Sequence, residues 1–144
     1  MHLAKDLKEF IALLNANEAE YVIVGAHALA WHGTPRFTGD IDFLVRPSPE
    51  NARRVESAMH QFGFPALTAS DFVAEDSIVQ LGYPPNRIDI LTSISGCSFD
   101  EVWAGKVRGQ MDGLPVNFIG RTEFKPNKLA SGRPKDMADL DSLE

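Results

Sequence analysis

The sequence is poor in cysteine. Cys97 is the only one among 144 residues, so an internal disulfide is excluded and a reducing cytoplasm is the expected setting. Long apolar runs are missing too. The longest largely apolar stretch, Tyr21 to Trp31, is about half the ~20 residues a spanning helix needs, and His27 interrupts it. A secretory leader is not expected either, because the opening MHLAKDLKEF alternates charge with hydrophobe and builds no apolar block. Internal repeats and low-complexity tracts are absent. Positive charge is scarce: 14 Lys and Arg against 20 Asp and Glu leave a formal charge of −6. That balance disfavours a broad basic platform for nucleic acid, although not a small local basic site. What is present is ordinary for a globular domain, with 44% hydrophobic and 24% charged residues. Periodic blocks of Leu, Ile, Val and Phe exclude disorder. One domain over 1–144 is expected, burying roughly 70% of its unfolded surface, with 121–144 as a short helical tail.

Periodicity locates the elements. Leu3, Leu7, Phe10, Ile11 and Leu14 recur at helical spacing, so 4–16 reads as an amphipathic helix. Tyr21-Val22-Ile23-Val24 reads as a buried strand ended by Gly25, and Ala26 to Trp31 as a helix starting at once after that glycine. A second strand, Asp40 to Val45, follows the connection Arg36-Phe37-Thr38-Gly39. Ser48-Pro49 is an N-cap followed by proline at the first helical position, opening a helix that runs to Phe62 and stops at Gly63. Ser77 to Leu81 and Arg87 to Thr92 read as strands, and Asp112-Gly113 as a hairpin turn between two more. The tail from Arg121 reads as two short helices split at Ser131-Gly132. Strands and helices therefore mix around one sheet, and the class is α/β (α+β) with a mixed β-sheet flanked by helices.

Asp40-Ile41-Asp42 carries the most chemistry. Alternate residues of a strand share a face, so Asp40 and Asp42 project together while Ile41 and Phe43 point away. Two like charges at ~4 Å repel by on the order of 4 kcal/mol at an effective dielectric near 20. A hard divalent cation would offset that, and a solvated edge strand is the bland alternative. Arg87-Ile88-Asp89-Ile90-Leu91 then places one aspartate inside an apolar run, where a lone carboxylate is costly unless paired. Two kinds of partner are open to it: a salt bridge to Arg87 or another basic group, or a metal shared with Asp40 and Asp42. Convergence of the three acids would suit Mg²⁺ by ligand type. Upstream, Val24-Gly25-Ala26 is a strand-to-helix turn whose backbone N–H groups favour an anion such as a phosphate. Arg36 and Thr38 add a positive charge and a hydroxyl to the connection. His27 and His32 are off the helical spacing of a metal pair, so zinc is not expected.

The stretch VGAHALAWHGTPRFTGDIDFLV resembles the signature of the nucleotidyltransferase superfamily that includes DNA polymerase β. It is most similar to the small bacterial members found among antibiotic-modifying enzymes and toxin–antitoxin or abortive-infection systems. In that pattern a glycine precedes Gly or Ser, a spacer of about ten residues leads to D-x-D, and a later strand bears a third acid. Gly25, Asp40, Asp42 and Asp89 match it, and the tail NKLASGRPKDMADL is also similar. Ala26 departs from the pattern, which removes a hydroxyl contact to phosphate while keeping small size and the backbone N–H groups. The resemblance implies two-metal transfer of a nucleoside monophosphate from a nucleoside triphosphate such as ATP. Asp40 and Asp42 would hold Mg²⁺ on the triphosphate, and Asp89 would help bind a second ion and activate the acceptor hydroxyl. The turn at Gly25-Ala26 would hold phosphates, with Arg36 and Lys128 as candidates to offset charge on the transferring group. A surface role is the alternative for each of these two.

The acceptor would be a protein partner, a tRNA end or a small molecule, and a partner chain or homodimer would complete a cleft that 144 residues leave short. The competing reading is a weak or inactive protein of the same fold, serving as a binding partner in a toxin–antitoxin pair. Ala26 favours it and the three acids oppose it. A metal-dependent nuclease also clusters acids, but has no need of the Gly25 turn.

Overall fold

A computed structural model of the protein describes residues 5–25, 28, 40–83 and 86–131, the side chains of Lys128 and Ser131 excepted. Six strands form one sheet: β1 (Tyr21–Val24), β2 (Asp40–Val45), β3 (Ile78–Leu81), β4 (Arg87–Leu91), β5 (Val107–Met111) and β6 (Leu114–Phe118). Their order is β3-β4-β2-β1-β6-β5. The pairs β2–β4 and β1–β6 are parallel, whereas β1–β2, β3–β4 and β5–β6 are antiparallel. The sheet is therefore mixed, as the pattern of the sequence requires. Among the described residues four helices accompany it: α1 (Lys5–Ala16), α2 (Pro49–Phe62), α3 (Phe99–Gly105) and α4 (Arg121–Ser131).

One face of the sheet is dry. Phe43 of β2 is fully buried and meets Phe10 of α1 edge-on at 4.9 Å, and Phe10 meets Phe62 of α2 at 5.4 Å. Val22, Ile23, Val24 and Leu44 are also buried, so the two central strands are covered on both sides over most of their length. The exception is the start of β2, where half-buried Asp40 and Asp42 stand on the face opposite Ile41 and Phe43.

Local chemistry sets the ends of α2. The Ser48 side chain accepts from the Asn51 backbone N–H at 3.2 Å, and Gly63 closes the helix at φ 109°. Asn51 does more than lie within the helix. Its Oδ1 accepts from the Glu20 N–H at 2.7 Å, and its Nδ2 donates to the carbonyls of Glu20 and Arg46, each at 3.0 Å. One buried amide thus ties the chain entering β1 to the chain leaving β2, holding these antiparallel neighbours together at the end away from their connection. The β5–β6 turn has Asp112 at φ 51° and Gly113 at φ 82°, the paired positive angles that suit a tight hairpin.

Two elements lack a clear signal in the sequence. The helix α3 is announced by Ser98, which accepts from the Glu101 N–H, while the Glu101 side chain accepts from the Ser98 N–H. This capping box is visible as S-F-D-E, but seven residues give too little periodicity to stand out. A single 3₁₀ turn, Ala69–Phe72, buries Phe72 and is shorter still. Trp103 of α3 is half-buried at the core's edge, stacked on Phe99 at 5.8 Å. The expected helix over Ala26 to Trp31 and the second helix of the tail lie outside the described residues, apart from buried Ala28.

Tyr21 makes a testable contribution to stability. It is buried, its hydroxyl donates to Asn15 Oδ1 at 2.8 Å, and burial pushes its ionisation well above the ordinary phenol value. The unfolded chain releases this proton near pH 10 and the folded chain does not, so ionisation above that pH favours unfolding. Between pH 10 and 11 the wild type should lose about 1 kcal/mol more stability than Tyr21→Phe. Urea denaturation of both proteins at pH 9, 10 and 11 checks this, and parallel losses would refute it.

Candidate active site

Strand register assembles the acids. Strands β2 and β4 run parallel with Asp42 beside Asp89 and Asp40 beside Arg87. All four side chains therefore share the sheet face opposite Ile41 and Phe43. One carboxylate oxygen from each of Asp40, Asp42 and Asp89 lies within 4.8 Å of the others, making a group able to hold a metal ion. Oxygens bound to one Mg²⁺, at about 2.1 Å each, stand about 3 to 4 Å apart, so the three carboxylates would close in slightly on an ion. The hard oxygen donors and their spacing fit such an ion.

The salt bridge weighed for Asp89 is present, within the same group of acids that could hold an ion. Arg87 Nε donates to Asp89 Oδ1 at 2.9 Å, and its Nη2 donates to Asp89 Oδ2 at 3.1 Å. The same Nη2 donates to Asp40 Oδ2 at 2.9 Å, a contact across strands that only the register reveals. Three carboxylates and one guanidinium leave a formal charge of −2 when all are ionised, which matches a divalent cation.

Asp89 is the most buried member, 6% exposed. Its carboxyl is pushed above the ordinary value of 3.8, first by loss of water; Arg87 opposes the rise and the Asp40 carboxylate adds to it. The folded chain therefore holds its proton more tightly than the unfolded chain. Without metal, stability should fall as pH rises from 3.8 through the raised folded value. Measured against Asp89→Asn in EDTA between pH 4 and 7, the wild type should become relatively less stable with rising pH. Mg²⁺ should reverse that trend, because the ion favours the ionised carboxylate. A wild-type advantage that grows with pH in EDTA would refute the assignment.

Gly25 ends β1 one residue past Val24, which pairs with Asp42. A Cβ at Gly25 would come within 2.4 Å of Asp42 Oδ2, and its φ of +76° already favours glycine. The glycine therefore makes room for an acid of the cluster, a task separate from the phosphate approach expected of it. Ala26, Arg36 and Thr38 lie outside the described residues, as does the side chain of Lys128. Among the described residues, no helix is long and apolar enough to cross a membrane.

No family model matches the sequence, and no curated protein matches it. The fold does have a counterpart among solved structures, a crystal structure of a "putative nucleotidyltransferase" from Thermotoga maritima. The TM-score is 0.64 at 18% identity, over 99% of this chain and 95% of that one. At this identity the likeness is one of architecture. The six-stranded mixed sheet flanked by helices is thus a nucleotidyltransferase-type fold.

Proposed function

We propose that the protein is a Mg²⁺-dependent nucleotidyltransferase, which moves a nucleoside monophosphate from a nucleoside triphosphate to an acceptor hydroxyl. The observation that carries this reading is the convergence of Asp40, Asp42 and Asp89 on one face of two parallel strands, in a fold of this type. Asp40 and Asp42 would hold the ion bound to the triphosphate, and Asp89 with Asp40 a second one. When bound, Mg²⁺ would neutralise the triphosphate and lower the barrier to attack at the α-phosphorus. Asp89, with its raised proton affinity, suits the role of accepting the hydroxyl proton at a carboxylate oxygen. The acceptor oxygen bonds to the α-phosphorus, the bond from that phosphorus to the bridging oxygen breaks, and pyrophosphate leaves. Gly25 keeps Asp42 in place and leaves the turn open to phosphate, with Ala26 offering its backbone N–H. Arg36, Thr38 and Lys128 are assigned to the triphosphate on the sequence pattern.

The same pattern supports membership among the small toxin–antitoxin or abortive-infection proteins. It also supports a protein or tRNA acceptor, and a cleft completed by a partner chain or a second copy. A single cysteine supports a cytoplasmic location. The test uses nucleoside triphosphates labelled at the α-phosphate, Mg²⁺ and cell lysate as acceptor. Label should move to an acceptor with wild type and not with Asp42→Asn. Label that moves only when it is placed at the γ-phosphate instead would point to phosphoryl transfer. Absence of any transfer, with no triphosphate-dependent thermal shift, would sink the enzyme reading.

A further inference from the structure

Arg87 has a place in the acid cluster that the proposed chemistry does not use. Its Nη2 lies 2.9 Å from Asp40 Oδ2 and 3.1 Å from Asp89 Oδ2, between the two carboxylates. An ion joining those oxygens from the side of Arg87 would sit about 2.1 Å from each, in space the nitrogen and its hydrogens already fill. The guanidinium also engages both oxygens of Asp89, through Nε and Nη2. Such a two-pronged contact is the strongest that a guanidinium makes with a carboxylate. These contacts fall on the Asp40–Asp89 side of the cluster, so the two cation positions are unequal.

We propose that Arg87 is a positioning residue that occupies the Asp40–Asp89 cation position in the metal-free protein and is displaced when an ion enters there. This inference rests on the nucleotidyltransferase reading of the same acids. While in place, Arg87 holds Asp89 and Asp40 in register despite their mutual repulsion. On leaving, it frees the Asp89 oxygens for the ion and the acceptor proton. The site would then fill in order, the Asp40–Asp42 position first and the Asp40–Asp89 position against competition.

The test follows the arginine as well as the ion. In the wild type, the Arg87 Nε–Hε resonance, assigned by its loss in Arg87→Lys, should be protected from exchange in EDTA and lose that protection as Mg²⁺ saturates the site. Mn²⁺ binding, followed by the electron paramagnetic resonance of the free ion, should be at least about tenfold tighter in Arg87→Gln, which removes a competing charge a few ångströms away. Arg87→Lys keeps the charge without the two-pronged grip and should fall between. Thermal melts in EDTA should rank wild type above both variants. Mn²⁺ binding that is lost in Asp42→Asn but is no tighter in Arg87→Gln would overturn this inference and leave the function standing. So would an Arg87 resonance unchanged at saturating Mg²⁺, which needs no folded Gln variant. No Mn²⁺ binding by wild type or by either Arg87 variant would overturn both.

Discussion

Asp42→Asn is expected to abolish nucleotidyl transfer while leaving a folded protein. The substitution keeps the shape of the side chain and removes one negative charge from the three-acid group. Asp42 sits beside Asp89 across β2 and β4, and against Gly25 at the end of β1. It thereby links the neighbouring carboxylate strand to the turn assigned to phosphate. Loss of one group that stabilises transition-state charge costs about 10²- to 10³-fold in rate, and loss of the ion that Asp42 would hold should lower transfer by at least that. Stability without metal should hold or rise slightly, because like charges at this separation repel. A thermal melt in EDTA and in Mg²⁺ separates the two effects: the variant should match or exceed wild type in EDTA, yet gain nothing from Mg²⁺. Transfer within tenfold of wild type would remove Asp42 from the machinery.

Gly25→Ala should act on the same acid from the other side. The added Cβ would lie 2.4 Å from Asp42 Oδ2, so the carboxylate must turn away. The backbone, at φ +76°, adds roughly 1–2 kcal/mol for any residue carrying a Cβ. The melting temperature should drop by about 3–8 °C. A displacement of about 1 Å in a reacting group costs about 10²-fold in rate, and transfer should fall by at least that factor. Gly63→Ala is the control, because Gly63 has φ +109° but a Cβ there would meet nothing within 4 Å. That variant should lose comparable stability and keep its activity. Equal activities in the two variants would mean that the clash with Asp42 is harmless.

Much of this architecture is legible from local patterns. The span of β2 and the run of α2 from Pro49 to Phe62 are as their sequences indicate. For α2 the reason is chemical: Ser48 and Pro49 can start a helix, and Gly63 can end one, without help from the rest of the chain. The Asp112-Gly113 turn is legible for the same reason, since its angles suit those residue types. Helix α3 is not, because its signal, Ser98 with Glu101, is short and lies between stronger strand patterns.

The site divides along the same line. Alternation within one strand suffices to put Asp40 with Asp42, and the cost of a lone acid in an apolar run suffices to single out Asp89. Neither argument says which strands are neighbours. Parallel pairing of β2 with β4, in a register that sets Asp42 beside Asp89, joins residues 47 positions apart in the chain. A slip of one residue would turn Asp89 to the opposite face of the sheet. The role of Arg87 is likewise open at the level of sequence, because its bond to Asp89 is local whereas its bond to Asp40 exists only through that register. What a residue prefers is written in its own chemistry and its near neighbours; which carboxylates meet, and which cation lies between them, is decided by strand pairing across the whole chain.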